Sequence, residues 1–135
     1  MKNIKSNDLA DAKRIAAAAE AEAQKNNWNV VIAIVDTGGH LVYLQRADGT
    51  QLGSIDVAVA KAKSALLFKR PSKNWEALLA DGRYGYLSMP NLLPLEGGIP
   101  LLAEDAIVGA IGVSGVKSNE DAIIATAGAA ALTGA

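Results

Sequence analysis

Lys61 is the residue whose type and position most clearly suggest chemistry. If residues 54–69 form a helix, its neighbours are small or apolar side chains: Val57, Ala58, Ala62, Ser64 and Ala65. A charge on such a face is costly unless it is paired. Two interpretations follow. Either the alkyl stem carries the ammonium out to water, or the ammonium is directed at Asp36 or at an anionic ligand.

Two carboxylates lie next to glycine pairs. Asp36 precedes Gly38-Gly39, and it is either a turn residue that accepts local N–H groups or a pocket carboxylate. Glu96-Gly97-Gly98 precedes a short apolar stretch. Its glycines form either a plain tight turn or a backbone that approaches a ligand closely. Asp36, Lys61 and Glu96 together could perform acid–base chemistry on a hydroxy acid or a related metabolite.

Three further polar residues are candidates for ligand binding. Arg46 and Asp48 are two residues apart after an apolar stretch, so they either form a salt bridge that fixes a turn or leave Arg46 to pair with a ligand carboxylate. Ser54 is a candidate N-cap for the helix of Lys61. The backbone amides at that helix start could also bind an anion.

Metal and nucleophile chemistry is restricted by composition. The chain has no cysteine and one histidine, His40, which excludes thiolate sites and sites that need several imidazoles. His40 is either an exposed residue beside a turn or a ligand to haem iron. Met89 and the tyrosines are more readily explained by packing.

The candidate residues lie on alternating helix and strand signals. An Ala-rich stretch from Asp8 to Lys25 predicts a first helix, with Ser6 and Asn7 as N-cap residues. A β-branched run within Trp28–Asp36 predicts a strand buried on both faces. His40–Arg46 predicts the return strand. The helix of Lys61 begins at Ser54 and runs to about Phe68 or Lys69.

The second half of the chain repeats this alternation. A short helix runs from Pro71-Ser72 to Ala80, and an irregular apolar segment, Arg83–Pro100, follows. Short strands are predicted at Ile99–Leu102 and Ala106–Gly115. Glycines within the latter strand suggest close approach of a helix or a ligand. Ser118–Asp121 has the spacing of a capping box and begins a last helix to about Leu132.

Two hairpins separated by helices cannot form an all-parallel sheet. We therefore expect one α+β domain over residues 1–135, with helices packed on a single antiparallel sheet of four or five strands. The chain is long enough to bury a core, and half of its residues are hydrophobic while 4% are aromatic. That core must consist of Ala, Val, Ile and Leu.

Charge and hydropathy exclude several classes of protein. Thirteen basic and 14 acidic residues give a net charge of −1, which argues against a nucleic-acid-binding protein. The longest apolar run is Val30–Val35, far below the roughly 20 residues of a membrane helix. The polar start has no signal-peptide pattern, so we expect a cytoplasmic protein.

Five segments together resemble the GlcG/HbpS family, which includes the C-terminal domain of PduO-type proteins. They occur in the family's order and spacing over nearly the whole chain: Ile34–Val42, Gln45–Thr50, Ser54–Ala62, Glu96–Leu101 and Gly109–Gly115. The resemblance implies an α+β domain with a mostly five-stranded antiparallel sheet that assembles into homo-oligomers. It also implies haem as a candidate cofactor, although the histidine that some members place on the first helix is absent from Asp8–Lys25. A role accessory to glycolate or diol metabolism is implied as well.

The sequence is compatible with three functions. The first is a small-ligand-binding protein with haem as the first candidate, its site formed by Asp36, Arg46, Asp48, Ser54 and Lys61, with Glu96, Gly97 and Gly98. The second is an enzyme that uses Asp36, Lys61 and Glu96. The third is a self-associating structural module that uses its Ala-rich helices and the Arg83–Pro100 segment.

Overall fold

A four-stranded antiparallel sheet lies at the centre of the structure, a computed structural model that describes residues 1–132. Its strands are β1 (Val31–Val35), β2 (Leu41–Arg46), β3 (Gly98–Ala103) and β4 (Ala106–Ser114). Their order across the sheet is β2-β1-β4-β3, and each neighbouring pair is antiparallel. The predicted α+β class is confirmed, with four strands in the described residues where about five were expected.

Three of the four helices in the described residues cover the two faces of the sheet. The four are α1 (Leu9–Lys25), α2 (Ser54–Leu67), α3 (Lys73–Ala80) and α4 (Ser118–Leu132), with a short 3₁₀ helix at Tyr84–Ser88. Helices α1 and α4 pack together on one face, and α2 packs on the other. No helix within residues 1–132 is both long and apolar enough to cross a membrane.

The central strand β1 is buried along its whole length, as its β-branched sequence predicts. Because side chains alternate between the two faces of a strand, Ile32 and Ile34 join the core beneath α1 and α4. Val31 and Ala33 pack instead against the small side chains of α2. Both halves of the core therefore depend on this one strand.

Two glycines allow α2 to lie directly on the sheet. A Cβ on Gly112 of β4 would meet the backbone of Ala58 and Ala62, and a Cβ on Gly98 of β3 would meet the backbone carbonyl of Lys61. Glycine is therefore required at both positions by the approach of a helix. This confirms one of the two explanations that the sequence offered for glycine in a strand.

Helix α1 is capped one residue later than predicted. Asp8 is its N-cap, and a capping box joins Asp8 and Asp11. The prediction of Asn7 as the cap is wrong because its side-chain amide donates to the carbonyls of Val35 and Val108, each at 3.0 Å. Asn7 thus ties the start of the chain to two strands.

Candidate functional site

Lys61 lies in the interior of the protein, with 2% of its side chain exposed. Its Nζ donates to Oδ2 of Asp121 at 3.0 Å and to the carbonyl of Val113 at 2.9 Å. The ammonium is therefore paired within the protein, but the expected pairing with Asp36 is wrong. The stem does not carry the charge to water either. The ion pair joins α2 to α4 beside Val113, near the C-terminal end of β4.

Asp121 is as buried as its partner and occupies the first turn of α4. Its Oδ1 accepts from the backbone N–H of Val116 at 3.1 Å. Burial raises the pKa of the Asp121 carboxyl above its ordinary value of 3.8, although the Lys61 ammonium and two backbone N–H groups act in the opposite direction. The carboxylate does not take the capping-box role predicted for it, because it faces inward to Lys61.

Asp36 is a turn residue. Its Oδ1 accepts from the backbone N–H groups of Gly38 at 2.9 Å and of His40 at 3.1 Å. Gly39 has a φ of 82°, a conformation that glycine adopts without strain. These bonds close the β1–β2 turn and leave the side chain of His40 exposed.

Gly97 and Gly98 are buried against protein rather than against open space. A Cβ on Gly97 would lie 2.8 Å from Nζ of Lys61. The N–H of Gly98 donates to Oγ of Ser72 at 2.8 Å, and the N–H of Ser72 donates back to the Gly98 carbonyl at 3.0 Å. The backbone is closely approached here, but by α2 and the residue before α3 and not by the ligand that was predicted.

Ser54 and Glu96 also have partners within the protein. Ser54 is fully buried, and its Oγ accepts from Nε2 of Gln51 at 2.9 Å and from Oγ of Ser114 at 3.1 Å. The N-cap of α2 is the preceding glycine, so the prediction of Ser54 as the cap is wrong by one residue. The Glu96 carboxylate lies 4.0 Å from Nζ of Lys73.

The shared cavity predicted between Lys61, Asp36 and Glu96-Gly97-Gly98 is not formed. Lys61 and Gly97 are in contact, which leaves no space between them. Val35, the residue before Asp36, pairs with Ala110 of β4. The carbonyl of Gly97 accepts instead from the N–H of Val113. Three residues of β4 separate these points, or about 10 Å along the strand. The acid–base trio is therefore not assembled in one place.

Arg46 and Asp48 lie instead at an open groove of about 900 Å³ between the C-terminal half of α1 and β2. Its lining includes buried apolar residues, the half-buried Trp28 and the two exposed charges: Ala23, Val30, Ile32, Trp28, Arg46 and Asp48. Within residues 1–132 neither charge forms an ion pair. The salt bridge that was the alternative explanation for this pair is absent there, and the Arg46 side chain is exposed.

A hydrogen-bond network fixes one wall of this groove. Nε2 of Gln45 donates to Oε2 of Glu20 at 2.5 Å, and Nε2 of Gln24 donates to Oε1 of the same carboxylate at 3.1 Å. The hydroxyl of Tyr43 donates to Oε1 of Gln45 at 3.2 Å. The network joins α1 to β2, so this wall is formed before any ligand arrives.

An aromatic cluster lies on the other side of the molecule, around α3. The Trp75 and Tyr86 rings are tilted at 58° to each other with centroids 5.0 Å apart. Arg70 lies 4.8 Å from the centre of the Trp75 ring, and Arg83 lies 5.6 Å from that of Tyr86. A recess of about 330 Å³ beside it is lined in part by Tyr86 and Met89. Tyr86 packs on Trp75, as the simpler explanation predicted, whereas Tyr84 is 67% exposed.

Two residues of structural or chemical importance were missed from sequence. Asp121 has a recognisable signal: it shares one helical face with Ile124, Ala125 and Gly128, all of them buried. An acid on an apolar face needs a partner as much as Lys61 does. The only sequence signal at Trp28 was its position at the start of a predicted strand, and such a position does not indicate a groove.

Comparison with known proteins gives consistent matches over most of the chain. The family model described as "Haem degrading protein HbpS-like" matches residues 8–130. Protein GlcG of Escherichia coli strain K12 is 43% identical over 103 residues, which are 76% of this chain and 77% of that protein.

Solved structures share the fold. A double mutant of Streptomyces reticuli HbpS superposes with a TM-score of 0.87 and 33% identity, over 96% of this chain and 89% of that one. A protein crystallised as a PduOC–haem complex superposes with a TM-score of 0.83 and 25% identity, over 93% and 94% of the two chains.

Proposed function

This chain belongs to the HbpS-like family, and from that premise we propose that it binds a small carboxylate-bearing ligand in the α1–β2 groove. Haem is the first candidate, because one structural relative was crystallised as a haem complex. Glycolate or diol metabolism is the setting that the family resemblance suggests. Accessory binding of a metabolite in that setting would not need the unassembled acid–base trio.

Arg46 at the rim of the groove is the observation that carries this proposal. Its guanidinium has no ion-pair partner among residues 1–132, and its planar fork suits a carboxylate. Ala23, Val30 and Ile32 line the groove but are at most 4% exposed, so the half-buried Trp28 supplies the aromatic surface near Arg46. A volume of about 900 Å³ lies within the usual range of small-molecule sites.

Haem fits this groove in part. Arg46 would hold a propionate, and Trp28 with the apolar residues would contact the ring. The iron does not fit, since no His, Met, Cys or Tyr is among the lining residues, and these are the usual axial ligands. His40, the predicted ligand, precedes Arg46 by six strand residues, or about 20 Å. We therefore derive no iron chemistry at this site.

Titration with haemin tests the proposal. We expect a saturable change in the Soret band that Arg46→Gln weakens. Arg83→Gln is the matched control, because it removes the same charge from an exposed arginine at the distant aromatic cluster. A spectrum that does not saturate would remove haem from consideration. Equal weakening by both variants would show that the groove is not the site.

Self-association is a second candidate property, supported by exposed apolar residues near the aromatic cluster. Tyr84 is 67% exposed, Leu87 61% and Leu95 43%. Monomeric proteins rarely leave large contiguous apolar patches in water, so we propose that this segment contacts another copy of the chain. Light scattering is expected to show an oligomer that Leu87→Glu dissociates, and a strict monomer at micromolar concentration would contradict the proposal.

A further inference from the structure

We infer that the α1–β2 groove recognises the carboxylate and the planar ring of its ligand, and that its side chains leave any metal in that ligand uncoordinated. A metal-free tetrapyrrole should therefore bind as tightly as haem. This inference rests on the proposed function, because it concerns the same groove, and it names the chemical features that the groove can contact.

The argument begins with the donors that the groove contains. Its polar lining residues are carboxylates, carboxamides and one guanidinium. The carboxylate of Glu20 has both oxygens engaged by glutamine amides at 2.5 and 3.1 Å. Asp48 shares the rim with Arg46, and within residues 1–132 the two form no ion pair. Neither carboxylate is an ordinary axial ligand for haem iron.

The residues that could coordinate haem iron lie elsewhere or are already bonded. Tyr43 is next to the groove, and its hydroxyl donates to Gln45 at 3.2 Å. Met89 and Tyr86 line a separate recess of about 330 Å³ near α3. His40 lies at the opposite end of β2 from Arg46. The groove thus offers no replacement for a missing axial ligand.

The groups left to contact a ligand within residues 1–132 are one cation, one aromatic ring and two free carboxamides. Arg46 supplies up to two parallel N–H donors to a carboxylate. Trp28 supplies an amphipathic aromatic surface, and the side chains of Asn27 and Asn29 make no hydrogen bond with residues 1–132. A planar ring that carries carboxylates uses all of these groups, and a bound metal adds no contact to them.

Parallel titrations with haemin and with metal-free protoporphyrin IX test this inference. The chain has two tryptophans, so Trp75→Phe leaves Trp28 as the only indole, and its fluorescence should be quenched by either porphyrin. We expect closely similar dissociation constants for the two. Arg46→Gln should weaken both by about tenfold, the loss of one charge-assisted contact, while Arg83→Gln and His40→Ala should change neither.

Each contrary result has a distinct meaning. Tight binding of haemin with weak binding of protoporphyrin IX would overturn the inference and leave haem binding intact. Binding of both that is insensitive to Arg46→Gln, or that leaves Trp28 unquenched, would place the ligand outside this groove and also overturn it. Binding of neither would refute haem as the ligand, and the inference would fall with it.

Discussion

Replacing Asp121 with alanine tests what holds α4 against the rest of the protein. The substitution removes the acceptor of Lys61 Nζ at 3.0 Å and the acceptor of the Val116 N–H at 3.1 Å. Lys61 is 2% exposed, so its charge cannot turn to water without local unfolding. Breaking a buried pair in this way costs about 3–5 kcal/mol in the free energy of unfolding. That is a large fraction of the roughly 5–15 kcal/mol that stabilises a typical domain.

The double variant Lys61→Met with Asp121→Ala separates the pair from the packing around it. Methionine keeps an unbranched stem of similar length and adapts to irregular spaces. Because the pair then leaves no buried charge, the double variant should recover most of the free energy of unfolding that Asp121→Ala loses. A residual cost of about 1 kcal/mol is expected from the Val116 N–H, which stays without its carboxylate acceptor.

Urea unfolding followed by circular dichroism measures both effects. Lys63→Met is the matched control on the same helix, because Lys63 is exposed and should change stability by no more than about 0.5 kcal/mol. A loss below about 1 kcal/mol for Asp121→Ala would refute the reasoning. So would a double variant less stable than Asp121→Ala alone.

Three further predictions concern stability and ionisation. Gly112→Ala should lower the unfolding midpoint because its methyl group would meet the α2 backbone at Ala58, while Gly85→Ala, with open space around it, should have little effect. Burial raises the pKa of Asp121, so the native state binds the carboxyl proton more tightly than the unfolded chain does. The stability that this group contributes therefore falls as pH rises through its folded pKa. The ¹³C chemical shift of its carboxyl should titrate with a midpoint above 3.8. Asn7→Ala removes two hydrogen bonds to strand carbonyls and should cost about 1–3 kcal/mol, measurable by denaturant unfolding.

Most elements could be predicted because their signals are local. The Ala-rich stretch up to Lys25 forms α1, and the β-branched run forms β1, with all five residues buried. The cap positions were less certain, since neighbouring polar residues compete for them. The side chain of Asn7 donates to two strand carbonyls, and Asp8 is the N-cap. Such competition depends on what packs nearby, which local sequence does not contain.

The candidate site divides in the same way. Sequence alone indicated that Lys61 needed either a partner or a route to water, and that Arg46 paired either with Asp48 or with a ligand carboxylate. It could not identify the partner, because Asp121 lies 60 residues away and reaches Lys61 only after α2 and α4 have packed at β4. Sequence alone also could not show that Asp36 and Gly97 are far apart. The strand register separates them by about 10 Å.

Residue type and spacing thus determined the helices, the strands, the α+β class and the energetic requirement that a lysine on a small apolar face be paired. Tertiary structure alone decided that an aspartate of the last helix meets this requirement, and that a groove lies between α1 and β2. The physical reason is that hydrophobic periodicity and backbone preference act over a few residues, whereas a buried charge and a groove are defined by chain segments that meet only in the folded protein.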